Sequence, residues 1–170
     1  MGDIPYIAGM VINELGKPTK LVPILVSRND NNTLARAYLG SDQPGVASAT
    51  PTKVLLDTED YDEGNNFASY KYVFPVSGKY HVDFGITGLT SGAHLTLGVA
   101  YLYLDGALRQ QGNYQLGTVH TSVRSVGADD LKVNAGQYIE LYGYGITDSG
   151  TFSFLGLTYN SFMSVHLIST

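Results

Sequence analysis

Apolar and polar residues alternate with a period of two over much of this chain, and the alternation is clearest between residues 70 and 86. Pro75 and Gly78 delimit a short break within that stretch. The apolar positions on either side are Tyr70, Tyr72 and Phe74 before the break and Tyr80, Val82, Phe84 and Ile86 after it. Because successive side chains of a strand point to opposite faces, this pattern predicts a strand, a turn and a second strand.

Similar runs, separated by turn residues, continue from Thr33 to the end of the chain. They are Leu34–Leu39, Lys53–Asp57, Phe67–Phe74, Lys79–Ile86, Leu95–Leu104, Thr118–Gly127, Tyr138–Ile146 and Tyr159–Ile168. Strands at this spacing, without helical periodicity between them, predict an antiparallel β-sandwich with almost no helix. We therefore expect one main domain over residues 34–170.

Residues 1–33 have a different pattern and are expected to form an N-terminal arm or hairpin. Two short apolar strands are predicted, Tyr6–Ile12 and Leu21–Val26, and the polar stretch 28–32 closes the segment. Pro18 and Pro23 argue against a central sheet position for this segment, since proline cannot donate to a sheet ladder. The residues expected to anchor the arm to a partner are Tyr6, Ile7, Val11, Ile12, Leu21, Ile24 and Val26.

Composition narrows the class of protein. The chain has 170 residues, a size typical of one domain, and only 15% of them are charged. A net charge of -5 with ten scattered basic residues argues against nucleic-acid binding. Neither a secretory signal nor a membrane-spanning segment is predicted, and the chain has no cysteine for a disulfide or thiolate site. We expect synthesis in a cytoplasm and stability through packing and oligomerisation.

The carboxylates and histidines show no spacing typical of catalysis. The acidic stretch Asp57–Glu63 predicts a solvated turn, and a loose Ca²⁺ site is the alternative, although Gly64 comes one residue too early for an EF-hand-like loop and Lys71 occupies its closing position. Asp129 and Asp130 are predicted at a turn, where adjacent carboxylates seldom form a glycosidase pair. The four histidines have no metal-ligand spacing. We predict neither enzymatic activity nor a cofactor.

Tyrosine, with 13 residues, offers a different chemistry. Leu95–Leu104 is apolar on both faces, which indicates either a strand inside a thick core or a second face covered by another subunit. Tyr138, Tyr142 and Tyr144 share a strand face with Glu140, where burial in a core or interface and stacking against a ligand are both open.

Three motifs resemble one known family. The spacing of Phe74-Pro75, Gly78, Tyr80 and Phe84 is similar to the Phe-Pro-x-x-Gly-x-Tyr-x-x-x-Phe signature of the C1q/TNF-like jelly roll. Residues 131–141 and 161–168 are similar to two later strands of that family, with Gln137 where Asp is usual and Ser164 where Gly is usual. These departures fit divergent viral or bacterial members. The resemblance implies an all-β, antiparallel jelly-roll sandwich that forms homotrimers, with the last strand near the threefold axis.

The resemblance leads to a functional hypothesis. We expect a non-enzymatic virion structural protein of a phage, at the virion surface after assembly in the host cytoplasm, acting as a trimeric head decoration (cement) protein or a tail-associated attachment protein. The shortness of the arm favours decoration over a tail fibre, which normally has a long shaft. The alternatives are a soluble C1q-like module that recognises a glycan or receptor and, less favoured, an enzyme on a jelly-roll scaffold.

Specific residues and partners follow from this hypothesis. The arm would bind major capsid or tail proteins, and a host surface glycan or receptor is a further candidate partner. Trimer-interface residues are expected at Tyr70, Tyr72, Phe162 and His166. His166 is interpreted as a structural histidine, with a pH-sensitive cluster of three equivalent rings as the alternative.

Overall fold

The structure, a computed structural model, describes residues 7–12, 18–24 and 33–170, and of these the side chains of 7–12, 18–24 and 117–119 lie outside the description. The described residues form strands and no helix, so none of them lies in a helix that could cross a membrane. In chain order the strands are β1 (Ile7–Ile12), β2 (Pro18–Ile24), β3 (Ala35–Tyr38), β4 (Gln43–Ala47), β5 (Thr52–Lys53), β6 (Thr58–Asp62), β7 (Phe67–Ala68), β8 (Lys71–Val73), β9 (Gly78–Leu89), β10 (Leu95–Leu104), β11 (Ala107–Gln111), β12 (Gln115–His120), β13 (Ser122–Val133), β14 (Tyr138–Thr147), β15 (Thr151–Phe154) and β16 (Phe162–Ser169).

The chain divides into two compact units, Met1–Asp30 and Asn31–Thr170. In the first unit β1 and β2 pair antiparallel as a two-stranded sheet, with Ile7 opposite Ile24 and Met10 opposite Leu21. Pro18 and Pro23 both lie in β2, which a two-stranded sheet tolerates because each strand has a free edge. The predicted hairpin strands overlap these two; Tyr6 and Val26 lie outside the described residues.

The second unit consists of two antiparallel sheets. Sheet I has the strand order β11-β10-β14-β8-β7, with β12 also paired to β10 and β5 to β14. Sheet II has the order β4-β15-β9-β16-β3-β6, with β13 also paired to β9. The inward side chains of the two sheets form one hydrophobic core, so the predicted sandwich is confirmed.

Aromatic residues from the region of clearest alternation form one end of that core. Phe74 lies between Tyr72 and Tyr80, with ring centroids 5.3 and 4.7 Å away in edge-to-face arrangements. The Tyr72 hydroxyl donates to the Thr33 carbonyl at 2.8 Å, and the Tyr80 hydroxyl donates to the Val76 carbonyl at 2.9 Å. Burial raises the pKa of both hydroxyls.

Glycines in β14 allow the two sheets to approach closely. A Cβ at Gly143 would overlap the ring of Phe154, and one at Gly145 would lie 2.8 Å from the Phe152 ring. Phe152 and Phe154 themselves pack edge-to-face with centroids 5.4 Å apart. The inward face of β14 is therefore filled by aromatic rings of β15 from the opposite sheet.

The predicted strand Phe67–Phe74 is interrupted. Ala68 of β7 pairs with Lys71 of β8, so Ser69 and Tyr70 form a two-residue hairpin turn. Their φ angles of 52° and 61° are those of a type I′ turn, which glycine and asparagine usually occupy. The turn separates Tyr70, which is 39% exposed, from the fully buried Tyr72.

Two acidic segments predicted as turns are strands instead, and both predictions are wrong. Asp129 and Asp130 lie within β13, opposite Val82 and His81 of β9. Most of the stretch Asp57–Glu63 lies in β6, the edge strand of sheet II. Acidic side chains are accommodated in both places because these strands present one face to water.

The turn after β6 is built by an aspartate. The Asp62 carboxylate accepts hydrogen bonds from the amide of Gly64 at 3.4 Å and from that of Phe67 at 2.7 Å. This is the local backbone capping that makes aspartate common at turns.

Candidate binding surfaces

The outer face of sheet II carries a shallow depression of about 450 Å³, here called the sheet II depression. Its lining residues are Arg36, Asp83, Phe84, Val126, Gly127, Ala128, Phe162 and Ser164. Asp83 of β9 lies between two small residues, because it is paired opposite Ser164 of β16 on one side and opposite Ala128 of β13 on the other. The result is a concave, mostly apolar surface that includes one cationic and one anionic residue.

Arg36 and Phe162 form one wall of this depression. The guanidinium carbon lies 4.5 Å from the Phe162 ring centroid, a cation–π arrangement. Arg36 Nη2 donates to the Thr158 carbonyl at 2.8 Å, and Nε lies 3.5 Å from an oxygen of Asp60. These contacts hold a planar, charged group against the ring and leave the wall rigid.

A histidine cluster lies further along the same face. His81 Nδ1 is 2.7 Å from Asp130 Oδ1, and Nε2 is 3.3 Å from Asp83 Oδ1. The ring of His166 lies 5.2 Å from that of His81, centroid to centroid. The hydrogen bond with Asp130, opposed by partial burial and assisted by Asp83, raises the pKa of His81. Two carboxylates at the two ring nitrogens favour the doubly protonated imidazolium.

Exposed apolar side chains line the edge of the sandwich formed by β11, β12 and β13. Leu108, Tyr114 and Leu116, here called the apolar edge, are 46%, 57% and 74% exposed. The Asn113 amide donates to the Val126 carbonyl, and the Val126 amide donates to Asn113 Oδ1. Together with the bond from the Arg124 amide to Gln115 Oε1, these bonds attach this edge to β13. The apolar edge and the sheet II depression thus occupy different parts of the same unit.

The outer face of sheet I carries a row of tyrosines, here called the tyrosine face: Tyr101, Tyr103, Tyr138, Tyr142 and Tyr144. It forms because β10 and β14 pair along their whole length, with Tyr101 opposite Tyr142 and Tyr103 opposite Glu140. The diagonal pair Tyr103 and Tyr142 has ring centroids 4.3 Å apart, and Tyr101 and Tyr144 are 5.9 Å apart. The sequence did not decide what covers the second face of β10. In the structure these rings leave that face half-buried within the same chain.

Two lysines lie on and beside the tyrosine face. Lys53 Nζ lies 2.6 Å from Glu140 Oε1 and donates to the Ser69 carbonyl at 3.2 Å. Lys71 Nζ lies 4.4 Å from the ring centroid of Tyr138. Burial raises the pKa of Tyr101 and of Tyr142, assisted by neighbouring tyrosines and, for Tyr142, by Glu140. Tyr101 and Tyr142 are therefore neutral at physiological pH.

The acidic stretch contributes a second depression, of about 410 Å³, between β6 and the Ser69–Tyr70 turn. Asp57 and Glu59 lie at its margin, and Asp57 Oδ1 accepts from the Gly40 amide at 2.7 Å. Within residues 33–170, no group of three or more histidine, aspartate or glutamate side chains is arranged to hold a metal ion.

The structure separates the four residues expected at a trimer interface. Phe162 and His166 share the outer face of sheet II, because both point outward from β16. Tyr70 lies near Lys53, beside sheet I. Tyr72 is fully buried in the core of its own chain and has no surface to offer a second subunit, so its assignment to the interface is corrected. The anchoring residues Ile7, Val11, Ile12, Leu21 and Ile24 lie on β1 and β2, and their side chains are outside the description.

Several surface residues were missed by the sequence reasoning. Arg36 and Val126 gave no signal, since a single arginine or valine in a strand has no distinctive spacing. Tyr101 and Tyr103 did give one, because tyrosines at i and i+2 occur in both β10 and β14. Only the pairing of these two strands brings the four rings together.

No protein-family model and no curated protein sequence matches the chain. Solved structures do match. The globular domain of zebrafish complement 1qA protein is 10% identical, with a TM-score of 0.54 over 80% of this chain and 97% of that one. Eiger TNF from S. frugiperda is 12% identical with a TM-score of 0.57, over 80% of this chain and 93% of that one. Murine APRIL is 8% identical with a TM-score of 0.55, over 80% and 98%.

These likenesses concern the fold. Identities of 8–12% carry no residue-level correspondence, but the match extends over nearly the whole of each solved domain. The protein therefore has the C1q/TNF-like antiparallel jelly roll that its motifs predicted.

Proposed function

We propose that this protein is a non-enzymatic, homotrimeric structural protein of a phage particle, a head decoration protein or a tail-associated attachment protein. The observation that carries the proposal is the division of the chain into a sandwich with its own core and a separate apolar two-stranded sheet. The sandwich would form the trimer, and the first unit would bind the particle.

Trimer formation is supported by two apolar surfaces of different shape. The sheet II depression is concave and floored by small residues, whereas the apolar edge projects leucine and tyrosine side chains. Contacts between two different patches are heterologous, and they close into a ring when the rotation between subunits allows it. The C1q/TNF-like resemblance implies a ring of three, in which the apolar edge of each subunit fills the depression of the next.

Anchoring by the first unit is supported by its size and composition. An isolated two-stranded sheet is at best marginally stable in water. Among the described residues neither strand is paired along its other edge, to which a strand of another protein can add. The sequences of β1 and β2 are almost free of charge, with Lys20 as the exception. A capsid or tail protein that supplies the missing strands or apolar surface would stabilise the hairpin.

The experiment that tests the virion role is immunogold electron microscopy, with antibodies raised against residues 34–170, on particles released by the host that carries the gene. Labels spread over the head would support decoration, and labels confined to the tail tip would support attachment. Particles of a strain in which the gene is deleted provide the control. Absence of label and of the protein's peptides from purified particles would overturn the virion assignment.

A further inference from the structure

We propose that the tyrosine face is a binding surface for neutral saccharide chains. The inference goes beyond the structural role proposed above and does not depend on it. It rests on three observations: the geometry of the tyrosine rings, the state of their hydroxyl groups and the balance of charge around them.

The geometry is that of a row of rings fixed in place. The rings stand on adjacent, fully paired strands, and the contacts of Tyr103 with Tyr142 and of Tyr101 with Tyr144 restrict their side-chain rotation. All five tyrosines are partly exposed. Rigid aromatic groups with polar tips give a large contact area and lose little side-chain entropy on binding.

The hydroxyl groups distinguish these tyrosines from those of the core. Tyr72 and Tyr80 each donate a hydrogen bond to a backbone carbonyl. Among the residues that the structure describes, none of the five hydroxyls of the tyrosine face has a hydrogen-bond partner within the protein. Five hydroxyl groups thus remain available to a ligand. A ligand rich in hydroxyl groups can both donate a hydrogen bond to each of them and accept one from it.

The balance of charge indicates which ligand fits. Lys53 is paired with Glu140, and Lys71 over the Tyr138 ring adds a single positive charge, so the charge presented is small. An acidic or basic polymer would gain little electrostatic attraction here. A dry protein–protein contact would bury the five hydroxyls, each needing a partner. The C–H groups of a neutral saccharide can pack against the apolar ring surfaces. Its hydroxyl groups can form hydrogen bonds with the tyrosine hydroxyls.

The proposed trimer would leave Tyr138, Tyr142 and Tyr144 free, because they lie on β14, which β10 separates from the apolar edge on β11 and β12. Three copies in one particle component would bind a saccharide-covered surface with avidity, even where each single contact is weak. Single-site dissociation constants near the millimolar range are therefore sufficient for function.

The test measures binding of cellohexaose, maltohexaose and laminarihexaose to the whole protein by saturation-transfer NMR and isothermal titration calorimetry, with an acidic oligogalacturonate for comparison. We expect at least one neutral hexasaccharide to bind and the acidic chain to bind more weakly. Combining Tyr103→Ala with Tyr142→Ala should weaken binding at least tenfold. Tyr159→Ala is the matched control, since Tyr159 is 60% exposed and lies outside the tyrosine face.

A conservative pair keeps the test valid if the alanine variants fail to fold. Tyr103→Phe with Tyr142→Phe preserves ring packing and removes two hydroxyls, and we expect a several-fold loss of affinity with an unchanged thermal midpoint. The proposal is overturned if no neutral saccharide binds at millimolar concentration, if the acidic chain binds best, or if binding survives both sets of variants. Concentration-dependent association of trimers that the tyrosine variants abolish would also overturn it, since the face would then be an interface between copies.

Discussion

Lys53 and Glu140 form an ion pair with 2.6 Å between Nζ and Oε1, joining the short strand β5 to the long strand β14. Glu140 is only 9% exposed, so its carboxylate has little access to water. The pair supports the tyrosine face from one side, because Lys53 is directly opposite Tyr142 in the sheet.

Removing the cation should therefore destabilise the fold. We expect Lys53→Met to lower the free energy of unfolding by about 1–3 kcal/mol, because it leaves a largely buried carboxylate without its partner. Urea unfolding followed by circular dichroism measures the change. Lys132→Met, at an exposed lysine of β13, should change the stability by less than about 0.5 kcal/mol. Equal effects of the two substitutions would contradict a specific role for the pair.

A side chain at Gly143 should also destabilise the protein. The Cβ of Gly143→Ala would overlap the Phe154 ring, and we expect a loss of about 1–3 kcal/mol from overpacking. Combining it with Phe154→Leu tests the cause. If the clash is with this ring, the double variant will be more stable than the sum of the single effects by about 1 kcal/mol, as measured by chemical denaturation. Simple additivity would mean that the backbone of β14, and not Phe154, limits the residue at this position.

Stability should fall with rising pH through the titration of His81. The pKa of His81 is raised above its usual value of about 6.5, so the stabilisation is complete below about pH 6.5 and is lost as the pH rises through the folded-state pKa. The difference in thermal midpoint between the wild type and His81→Gln, measured from about pH 5 to about pH 9, should decrease over that window. The substitution His120→Gln, at an exposed histidine, serves as the control. A difference that grows with pH would show that the sign of the shift is wrong.

Light scattering at micromolar concentration should give a particle of about 55 kDa, three times the chain mass of 18.3 kDa. A permanent trimer is expected to bury roughly 2,000 Å² or more at each interface. Ser164→Arg places a long cation on the floor of the sheet II depression and should yield monomers. Ser149→Arg, at an exposed turn, should leave the trimer intact. An 18 kDa wild-type particle would remove the basis of the assembly proposed here.

The arm is tested by truncation. A chain that begins at Asn32 should keep the thermal stability of the sandwich and its trimeric mass but lose binding to the particle. Pull-down with purified particles, alongside light scattering of the truncated chain, separates the two effects. Should truncation unfold the sandwich, the first unit is a structural part of the domain and anchoring has to be sought elsewhere.

The fold was predictable where strands cross the middle of the sandwich. Tyr80, Val82, Phe84 and Ile86 of β9 alternate because one face meets the core, and all four are buried as predicted. The bounds of β10, Leu95–Leu104, were predicted as observed. In both strands the apolar positions of the sequence are predictable because they correspond to burial in the core.

Edge strands were not predictable in the same way. β11 is exposed at every position, and β4 buries only Val46 and contains Pro44 and Gly45, so neither shows alternation. Asp129 and Asp130 were interpreted as a turn because acidic pairs are common there. Their carboxylates instead meet side chains far along the chain, Arg109 at 3.2 Å and His81 at 2.7 Å.

The binding surfaces depended on pairing that a single sequence does not contain. Tyr103 and Tyr142 are each visible as part of an alternating run, but nothing in the sequence indicates that their strands are neighbours. Tyr70 and Tyr72 were predicted to share one strand face, and both were expected at the trimer interface. The left-handed turn at Ser69 and Tyr70 breaks that alternation and leaves the two tyrosines in different environments.

The acidic strand β6 has a consequence for solubility. It forms one edge of sheet II and carries Glu59, Asp60 and Asp62, while the other edge, β4, contains a proline. Unpaired strand edges promote sheet-to-sheet aggregation, and charged residues and proline are two common protections against it. We therefore expect the carboxylates of β6 to oppose edge-to-edge pairing by repelling the same edge of another copy.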